Sequence, residues 1–268
     1  NFGKISFFLF GSVSEPNTWF KDIKSLKSGH YVKFDYANNL IQSFKYSDIT
    51  KFWQNNHIEL SKKKLHKKIK EAIIQSVKYH LISDVPIGIL LSGGVDSGII
   101  LSIINELKIK NIKAITINFD EFKSTKEDEV PIAKKIADFY KIEHIVEKIS
   151  YKEFKNDFTK IMHSMDSPSV DGINIWFACK IAKKNNIKVL ISGLGGDELF
   201  FGYPSFRQIP IFYSLYNIIR FRILFKIIAK LINLINVFIK KPKLKNIDQT
   251  LTNIFSFYWI RRGLFSIF

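Results

Sequence analysis

The chain has 268 residues, of which 46% are hydrophobic, and it carries a formal net charge of +17 from 41 basic and 24 acidic side chains. This apolar content is enough for a buried core, and the single cysteine, Cys179, excludes an intrachain disulfide framework. A reducing cytoplasm is the simplest compartment for such a chain. The charge admits nucleic-acid or anionic-membrane binding, but the lysines are scattered, and we favour a charge spread over solvated faces.

Three apolar runs within residues 1–46 predict β-strands, at 5–10, 30–34 and 40–46. Asn38 and Asn39 favour a hairpin turn between the last two strands. Residues 47–60 have the composition of a connector, and Ser61 is the predicted N-cap of a helix that runs to about residue 81. Apolar side chains at i, i+4 spacing mark the buried face of this helix: Leu65, Ile69, Ile73 and Val77.

From residue 84 onwards, strand patterns alternate with helix patterns. Strands are predicted at 84–91, 114–119, 143–149 and 189–192, and helices at 97–108, 127–140, 151–165 and 172–185. Consecutive parallel strands need crossover helices of this length. The order therefore predicts an α/β fold in which a parallel sheet has helices on both faces.

A glycine turn follows the first of these strands, in the sequence Ser92-Gly93-Gly94-Val95-Asp96-Ser97. Adjacent glycines let the backbone approach a ligand closely, and the N–H groups at the start of the next helix favour an anion. A carboxylate such as Asp96 faces a phosphate when a cation lies between them, so the turn predicts a Mg²⁺-assisted phosphate or pyrophosphate site. The alternative is an ordinary strand-to-helix turn, but packing gives no reason for the two serines and the aspartate.

A second glycine turn ends the last predicted strand and reads Ser192-Gly193-Leu194-Gly195-Gly196-Asp197-Glu198. Ligands of open α/β sheets bind beyond the carboxyl ends of the strands, where both turns are expected to lie. We therefore expect Asp96 and Asp197 to hold one Mg²⁺ ion together. The alternative for Asp197 and Glu198 is a pair of acidic residues that stabilise a helix N-terminus by up to ~1 kcal/mol.

Residues 206–240 form a largely apolar run that basic residues interrupt. A transmembrane helix needs about 20 mostly apolar residues with few charges. The pattern predicts an amphipathic helix that docks onto another part of the protein, with attachment to a membrane surface as the alternative. The chain begins with Asn1 and ends on an apolar run at Phe268, and we expect both ends to continue in a longer protein. The basic residues that interrupt the apolar run at 206–240 are Arg220, Arg222, Lys226 and Lys230.

The first glycine turn resembles the Ser-Gly-Gly-x-Asp-Ser motif of the PP-loop ATP pyrophosphatases, which cleave ATP between its α and β phosphates. The two turns, their order and the lead-in Asp84-Val85-Pro86-x-Gly88 resemble the glutamine-hydrolysing asparagine synthetases. The second turn, continued to Gly202-Tyr203, is the more discriminating signature. The run from Gly11 to Tyr31 resembles the end of a class II glutamine amidotransferase domain. The resemblance thus implies a truncated amidotransferase tail at 1–46 and a PP-loop synthetase domain at 61–268.

The resemblance implies an ATP-dependent carbon–nitrogen ligase of asparagine biosynthesis. A carboxylate, aspartate by default, would attack the α-phosphate of ATP, pyrophosphate would leave, and ammonia from glutamine would take the acyl group. Asp96 and Asp197 would be the catalytic carboxylates and the Mg²⁺ ligands. Pyrophosphate and ATP would contact Leu91, Ser92, Gly93, Gly94, Asp96, Ser97, Ile117, Ser192 and Gly193.

Within this set the resemblance implies that the adenosine lies among Leu91, Ile117, Ser192 and Gly193. Glu129 and His144 also stand where the family tends to carry Glu and His, although a helix-surface Glu and a strand-end His have ordinary structural explanations. The expected partners are ATP, the carboxylate and ammonia in the cytoplasm, without nucleic acid or membrane. A homodimer is compatible with the resemblance.

Leu194 departs from the family pattern. Many asparagine synthetases carry a glutamate there that is linked to the aspartyl adenylate, and a leucine lacks that carboxylate. The acceptor is therefore either aspartate or another carboxylate, which would give a lactam, a peptide or a sugar amide. The family's catalytic lysine is expected beyond residue 268. An inactive protein with a basic, membrane-facing helix is the alternative from another functional class.

Overall fold

A computed structural model describes residues 2–51, 59–217, 227–236 and 258. The chain divides into two units. The first unit comprises Asn1–Asp48, Asp166–Val170 and Asp197–Phe268, and the second comprises Ile49–Met165 and Asp171–Gly196. The assignment of 1–46 and 61–268 to two domains stays a prediction.

The first unit begins with a helix, α1, which spans Phe2–Phe10. The predicted strand at 5–10 is therefore wrong. An apolar run this short fits a strand and a buried helix equally well by its pattern. The hydroxyl of Ser6 donates to the Gly3 carbonyl oxygen at 3.1 Å and accepts from the Ser14 N–H at 2.9 Å. These contacts fix the helical turn against the loop that follows it.

An antiparallel hairpin follows, as predicted. Strand β1, His30–Asp35, pairs with strand β2, Leu40–Lys45. Asn39 in the connecting turn has a φ of 50°, in the left-handed region that asparagine tolerates better than most residues. Tyr31 lies opposite Phe44 in the register, and their rings stack with centroids 5.2 Å apart. This aromatic pair is a stabilising contact across the hairpin.

Helix α2, Lys62–His80, begins directly after Ser61, although the Ser61 side chain makes no capping hydrogen bond. Val77 is buried and Ile73 packs against the core, whereas Leu65 is exposed. The predicted apolar face therefore reaches the core near the C-terminal end of the helix.

A four-stranded parallel sheet forms the centre of the second unit. Its strands, in the spatial order β5-β4-β3-β6, are parallel in each neighbouring pair. The predicted α/β fold with a parallel sheet is confirmed. Strand β3 lies between β4 and β6, so the two strands that enter the glycine turns are neighbours. The strands span Ile87–Leu90 (β3), Lys113–Phe119 (β4), Glu143–Ile149 (β5) and Val189–Ile191 (β6).

Helices alternate with these strands, as predicted, and a short 3₁₀ turn at Asp120–Phe122 follows β4. Ala114 and Ile115 are neighbours on β4, so their side chains point to opposite faces of the sheet. Ala114 belongs to the cluster that α2, α3 and α4 cover, whereas Ile115 packs with residues of α6. Both faces of the sheet therefore carry helices. The helices span Val95–Glu106 (α3), Val130–Tyr140 (α4), Tyr151–His163 (α5) and Gly172–Lys184 (α6).

Helices α5 and α6 are joined by a cluster of charges around Lys180. The Lys180 ammonium lies 2.7 Å from the Asp157 carboxylate and also pairs with Glu153. It lies 5.6 Å from the centroid of the Trp176 ring, within cation–π range. The Asp157 side chain is 11% exposed, so this ion pair is better shielded from water than an ordinary surface pair.

Lys180→Met is expected to lower the free energy of unfolding by about 1 kcal/mol near pH 7, because two carboxylates lose their shared cation. The hydrogen bond from Lys180 lowers the pKa of Asp157. Asp157 therefore contributes stability above its unfolded pKa of about 4, and this stability is lost as the pH falls through the folded-state pKa. Denaturant unfolding at neutral and acid pH should show the difference between variant and wild type shrinking below about pH 4. The exposed Lys183→Met on the same helix is the control, and a pH-independent loss would contradict the expectation.

Two helices of the first unit follow the second glycine turn. They are α7, Gly196–Phe200, and α8, Pro204–Asn217, and residues 227–236 are also helical. The predicted amphipathic helix over 206–240 is therefore described in part, and Arg220, Arg222 and Lys226 lie outside the described residues. Over the part of the chain that is described, every helix is too short or too polar to span a bilayer.

Candidate active site

Both glycine turns lie at the carboxyl edge of the parallel sheet. Strands β3 and β6 pair with Ile89 opposite Ile191, so the residues that follow them leave the sheet side by side. The first turn leads into α3, and the second ends at Gly196, where α7 begins. Open α/β sheets bind their ligands at this edge, and the pairing of β3 with β6 brings the two glycine turns together there.

Hydrogen bonds between the two serines hold the first turn in shape. The Ser97 hydroxyl is buried, and its oxygen lies 2.9 Å from the Ser92 hydroxyl oxygen and 3.2 Å from the Ser92 N–H that donates to it. It also lies 3.2 Å from the Gly94 carbonyl oxygen, which can accept its proton. Ser97 therefore has a clear structural role, and the predicted contact of both serines with pyrophosphate stays a prediction.

The two glycines of the first turn serve different purposes. Gly94 is the N-cap of α3, and as a glycine it has no side chain that could cap the first N–H groups of that helix. Such N–H groups carry partial positive charge and favour a phosphate. At Gly93, a Cβ atom would lie 3.3 Å from the Cβ of Ile132, so close packing against α4 explains this glycine.

Asp96 lies directly against the second turn. A Cβ atom at Gly193 would lie 2.7 Å from the Asp96 Cβ and 2.9 Å from the Ser97 backbone nitrogen. A Cβ atom at Gly196 would lie 2.6 Å from the Asp96 Oδ2. Both glycines therefore leave room for the Asp96 carboxylate. The structure thus brings Asp96, Ser97, Gly193 and Gly196 together at one point of the sheet edge.

Gly195, between these glycines, has a φ of 96°, which favours glycine over other residues. Asp197, the next residue after Gly196, is half-buried, and a side chain at Gly202 would collide with its carboxylate. Glu198 is exposed and accepts a hydrogen bond from the Tyr203 hydroxyl at 2.8 Å. That Asp96 and Asp197 share one ion stays a prediction.

A cavity of about 410 Å³ opens beside the first turn, at the carboxyl ends of β3 and β4. Its size is within the usual range for small-ligand pockets. Among the residues predicted to contact ATP, Leu91, Ser92 and Ile117 line it, whereas Ser192 and Gly193 do not. Other lining residues are Leu90, Thr116, Asn118, Phe119, Phe122, Glu127, Glu129 and Asn174.

Two polar residues of this cavity, Thr116 and Asn118, were not predicted from the sequence. Both lie on β4 and are buried, with 1% and 7% exposure. Their spacing places them on the same face of an otherwise apolar strand. A polar side chain inside a strand that is covered on both faces is unusual, so this spacing was a signal for the cavity.

His144 does not line the cavity, although Glu129 does. Burial lowers the pKa of His144, while Asp138 acts to raise it and Lys134 to lower it further. The ring is therefore neutral near pH 7.

The oxygen donors at the sheet edge fit Mg²⁺. This ion binds through one or two carboxylates together with phosphate oxygens and water. The Asp96 carboxylate lies against Gly196, and the same turn carries the Ser92 and Ser97 hydroxyls; carboxylate and hydroxyl oxygens are ligands of the kind that Mg²⁺ takes. Within the described ranges, no three His, Cys, Asp or Glu side chains form a metal-binding group by themselves.

Comparisons with known proteins show the family of this chain. The family model described as asparagine synthase matches residues 68–243. Asparagine synthetase [glutamine-hydrolyzing] 1 of Bacillus subtilis is 35% identical over 202 residues, which are 74% of this chain and 30% of that protein. Amidase chyE of Penicillium rubens is 27% identical over 208 residues, which are 72% of this chain and 30% of that protein. This chain thus spans under a third of the length of these two relatives.

Among solved structures, a glutamine-dependent NAD+ synthetase from Acinetobacter baumannii is similar with a TM-score of 0.39 and 17% identity, covering 64% of this chain and 31% of that one. The family match is the stronger finding, because it extends over more than half of the 268 residues. This chain belongs to the asparagine synthase family.

Proposed function

We propose that the protein uses ATP to activate a carboxylate as an acyl adenylate, releases pyrophosphate, and transfers the acyl group to ammonia derived from glutamine, with AMP as the leaving group. One observation supports this proposal above the others: the Asp96 side chain lies against Gly193 and Gly196, and Ser92 of the same turn as Asp96 lines the cavity at the ends of β3 and β4. Two glycine turns, a carboxylate and a cavity at one sheet edge suit the binding of a nucleotide triphosphate.

In this reaction the residues of the chain bind, orient and neutralise. The N–H groups at the start of α3 would bind phosphate oxygens, and Leu91 and Ile117 would contact the adenosine through backbone groups. Asp96 and Asp197 would hold Mg²⁺, which when bound would offset the negative charge of the pyrophosphate leaving group. Because that charge grows in the transition state, fixed positive partial charge at the helix start lowers the barrier.

Asparagine synthesis from aspartate, with glutamine as nitrogen donor and in the cytoplasm, is the default version of this proposal. Leu194 favours a second version with another acceptor carboxylate, because its side chain is 79% exposed at the top of the second turn. An exposed leucine cannot pair with the ammonium group of an amino-acid substrate. Asparagine synthetases and amidases both occur among the relatives by name, which supports the family and leaves both acceptors to be tested.

Exchange of labelled pyrophosphate into ATP by the full-length protein tests both versions. Exchange that requires aspartate would support asparagine synthesis, because adenylate formation is then reversible with this acceptor. Exchange that ignores aspartate but requires another carboxylate would support the second version. A folded protein that binds no MgATP and exchanges no pyrophosphate with any carboxylate would refute the proposed function.

A further inference from the structure

A line of hydrogen bonds crosses three strands and ends at the wall of the cavity. The Thr116 Oγ1 on β4 lies 2.7 Å from the Leu91 carbonyl oxygen, which follows β3. The same Oγ1 lies 2.7 Å from the Nε2 of His144 on β5. Thr116 is 1% exposed, so water does not compete for these bonds.

The direction of each bond follows from the groups involved. A carbonyl oxygen only accepts, so the Thr116 hydroxyl proton points to Leu91. The Thr116 oxygen must then accept from His144, which places the histidine proton on Nε2. His144 therefore fixes the rotation of the Thr116 hydroxyl, and Thr116 fixes the Leu91 carbonyl.

The Leu91 carbonyl stands where β3 and β4 stop pairing. The Leu91 N–H still donates to the Ile115 carbonyl oxygen at 2.8 Å, but the strand register ends at the pair of Leu90 and Ile115. Beyond this pair, Leu91 and Ile117 both line the cavity. The side chain of Thr116, rather than another ladder bond, holds the Leu91 carbonyl, the first after β3, in place.

We propose that His144 and Thr116 form a positioning pair that holds the rim of the nucleotide cavity at Leu91 ready for the adenosine. This inference rests on the proposed function, because it takes the ligand of the cavity to be ATP. His144 lies outside the cavity lining and acts through Thr116. The pair contributes to ATP binding and takes no part in the chemical step.

The experiment measures the dissociation constant of MgATP by calorimetry, with melting temperatures for the same samples. Thr116→Val keeps the shape of the side chain and removes the hydroxyl, and His144→Leu removes the donor. Each should raise the dissociation constant about tenfold, the effect of losing one hydrogen bond that orients the site. Thr116→Ser and His144→Gln keep the hydroxyl and an N–H donor, and they should bind within about threefold of wild type.

The double variant Thr116→Val with His144→Leu should bind no more weakly than either single variant, because both break the same chain of bonds. His163→Leu, an exposed histidine at the end of α5, is the matched control and should leave binding unchanged. In pyrophosphate exchange, the effect should appear in KM for ATP rather than in kcat.

The experiment distinguishes failure of this inference from failure of the proposed function. If wild type binds MgATP and Thr116→Val binds equally well while losing thermal stability, the pair is structural and this inference is wrong. If the folded wild type binds no MgATP, the proposed function itself fails, and the inference fails with it. Weaker binding in both disrupting variants, with recovery in both conservative variants, supports the inference.

Discussion

Asp96→Asn is expected to lower the rate of pyrophosphate exchange by at least about 100-fold, in the range seen when a group that stabilises transition-state charge is lost. The asparagine side chain keeps the size of the carboxylate and loses its charge, so the site loses its hold on a divalent cation. Exchange rates at several Mg²⁺ concentrations measure the effect. The apparent Mg²⁺ requirement should rise together with the loss of rate.

The fold should survive this change. Asp96 lies in the first turn of α3, where a negative charge stabilises the helix by about 0.3–1 kcal/mol, so the melting temperature should fall slightly. Asp84→Asn is a matched control, because Asp84 is exposed and precedes β3 at the opposite end of the strand. Unchanged exchange in Asp96→Asn, with the same Mg²⁺ dependence as wild type, would refute the assignment of Asp96 to the metal.

Gly193→Ala is expected to weaken MgATP binding by about tenfold or more, even though it adds a single methyl group. The new Cβ would lie 2.7 Å from the Asp96 Cβ and 2.9 Å from the Ser97 backbone nitrogen. Backbone atoms at the start of α3 cannot move aside as the tip of a flexible side chain can. The two turns must therefore separate, and the phosphate-binding N–H groups move with them.

Gly98→Ala offers a close control within α3. A Cβ atom there would have its nearest neighbour, the Cδ1 of Ile136, at 3.9 Å, which is ordinary van der Waals contact. Replacing a glycine in a helix by alanine should stabilise the protein by roughly 0.5–1 kcal/mol and leave MgATP binding unchanged. If Gly193→Ala and Gly98→Ala bound MgATP equally well, the contact between the turns would have no part in nucleotide binding.

The sheet and its helices could be predicted because residue pattern, element length and the alternation of strands with helices all indicate the same structure. The strand predicted at 114–119 is a mostly apolar run of strand length, the one at 143–149 contains Ile145, Val146 and Ile149, and each is followed by a helix with a clear inner face. The run at 5–10 lacked such support, since its six residues are compatible with either structure. The contacts of Ser6 with Gly3 and Ser14 depend on the folded structure, and no local sequence pattern predicts them.

The site was predictable to the extent that it follows from topology. Parallel strands carry their loops at a common edge, so two glycine turns after two strands were expected to meet there, and Asp96 does lie against Gly193. The bond between Thr116 and His144 was not predictable in this way. It depends on the exact register of β4 and β5, in which Ala114 lies opposite His144, and register is set by packing across the whole sheet.

The pairing of Ile89 with Ile191 joins the last strand of the sheet to the first. We expect contacts so distant along the chain to form late in folding, because closing a long loop costs entropy before the contact stabilises the chain. A nascent polypeptide that ends after β5 therefore has the first glycine turn without the second. Under the proposed function, MgATP would bind only chains in which both turns are in place, and by mass action it would shift newly made chains toward the folded state.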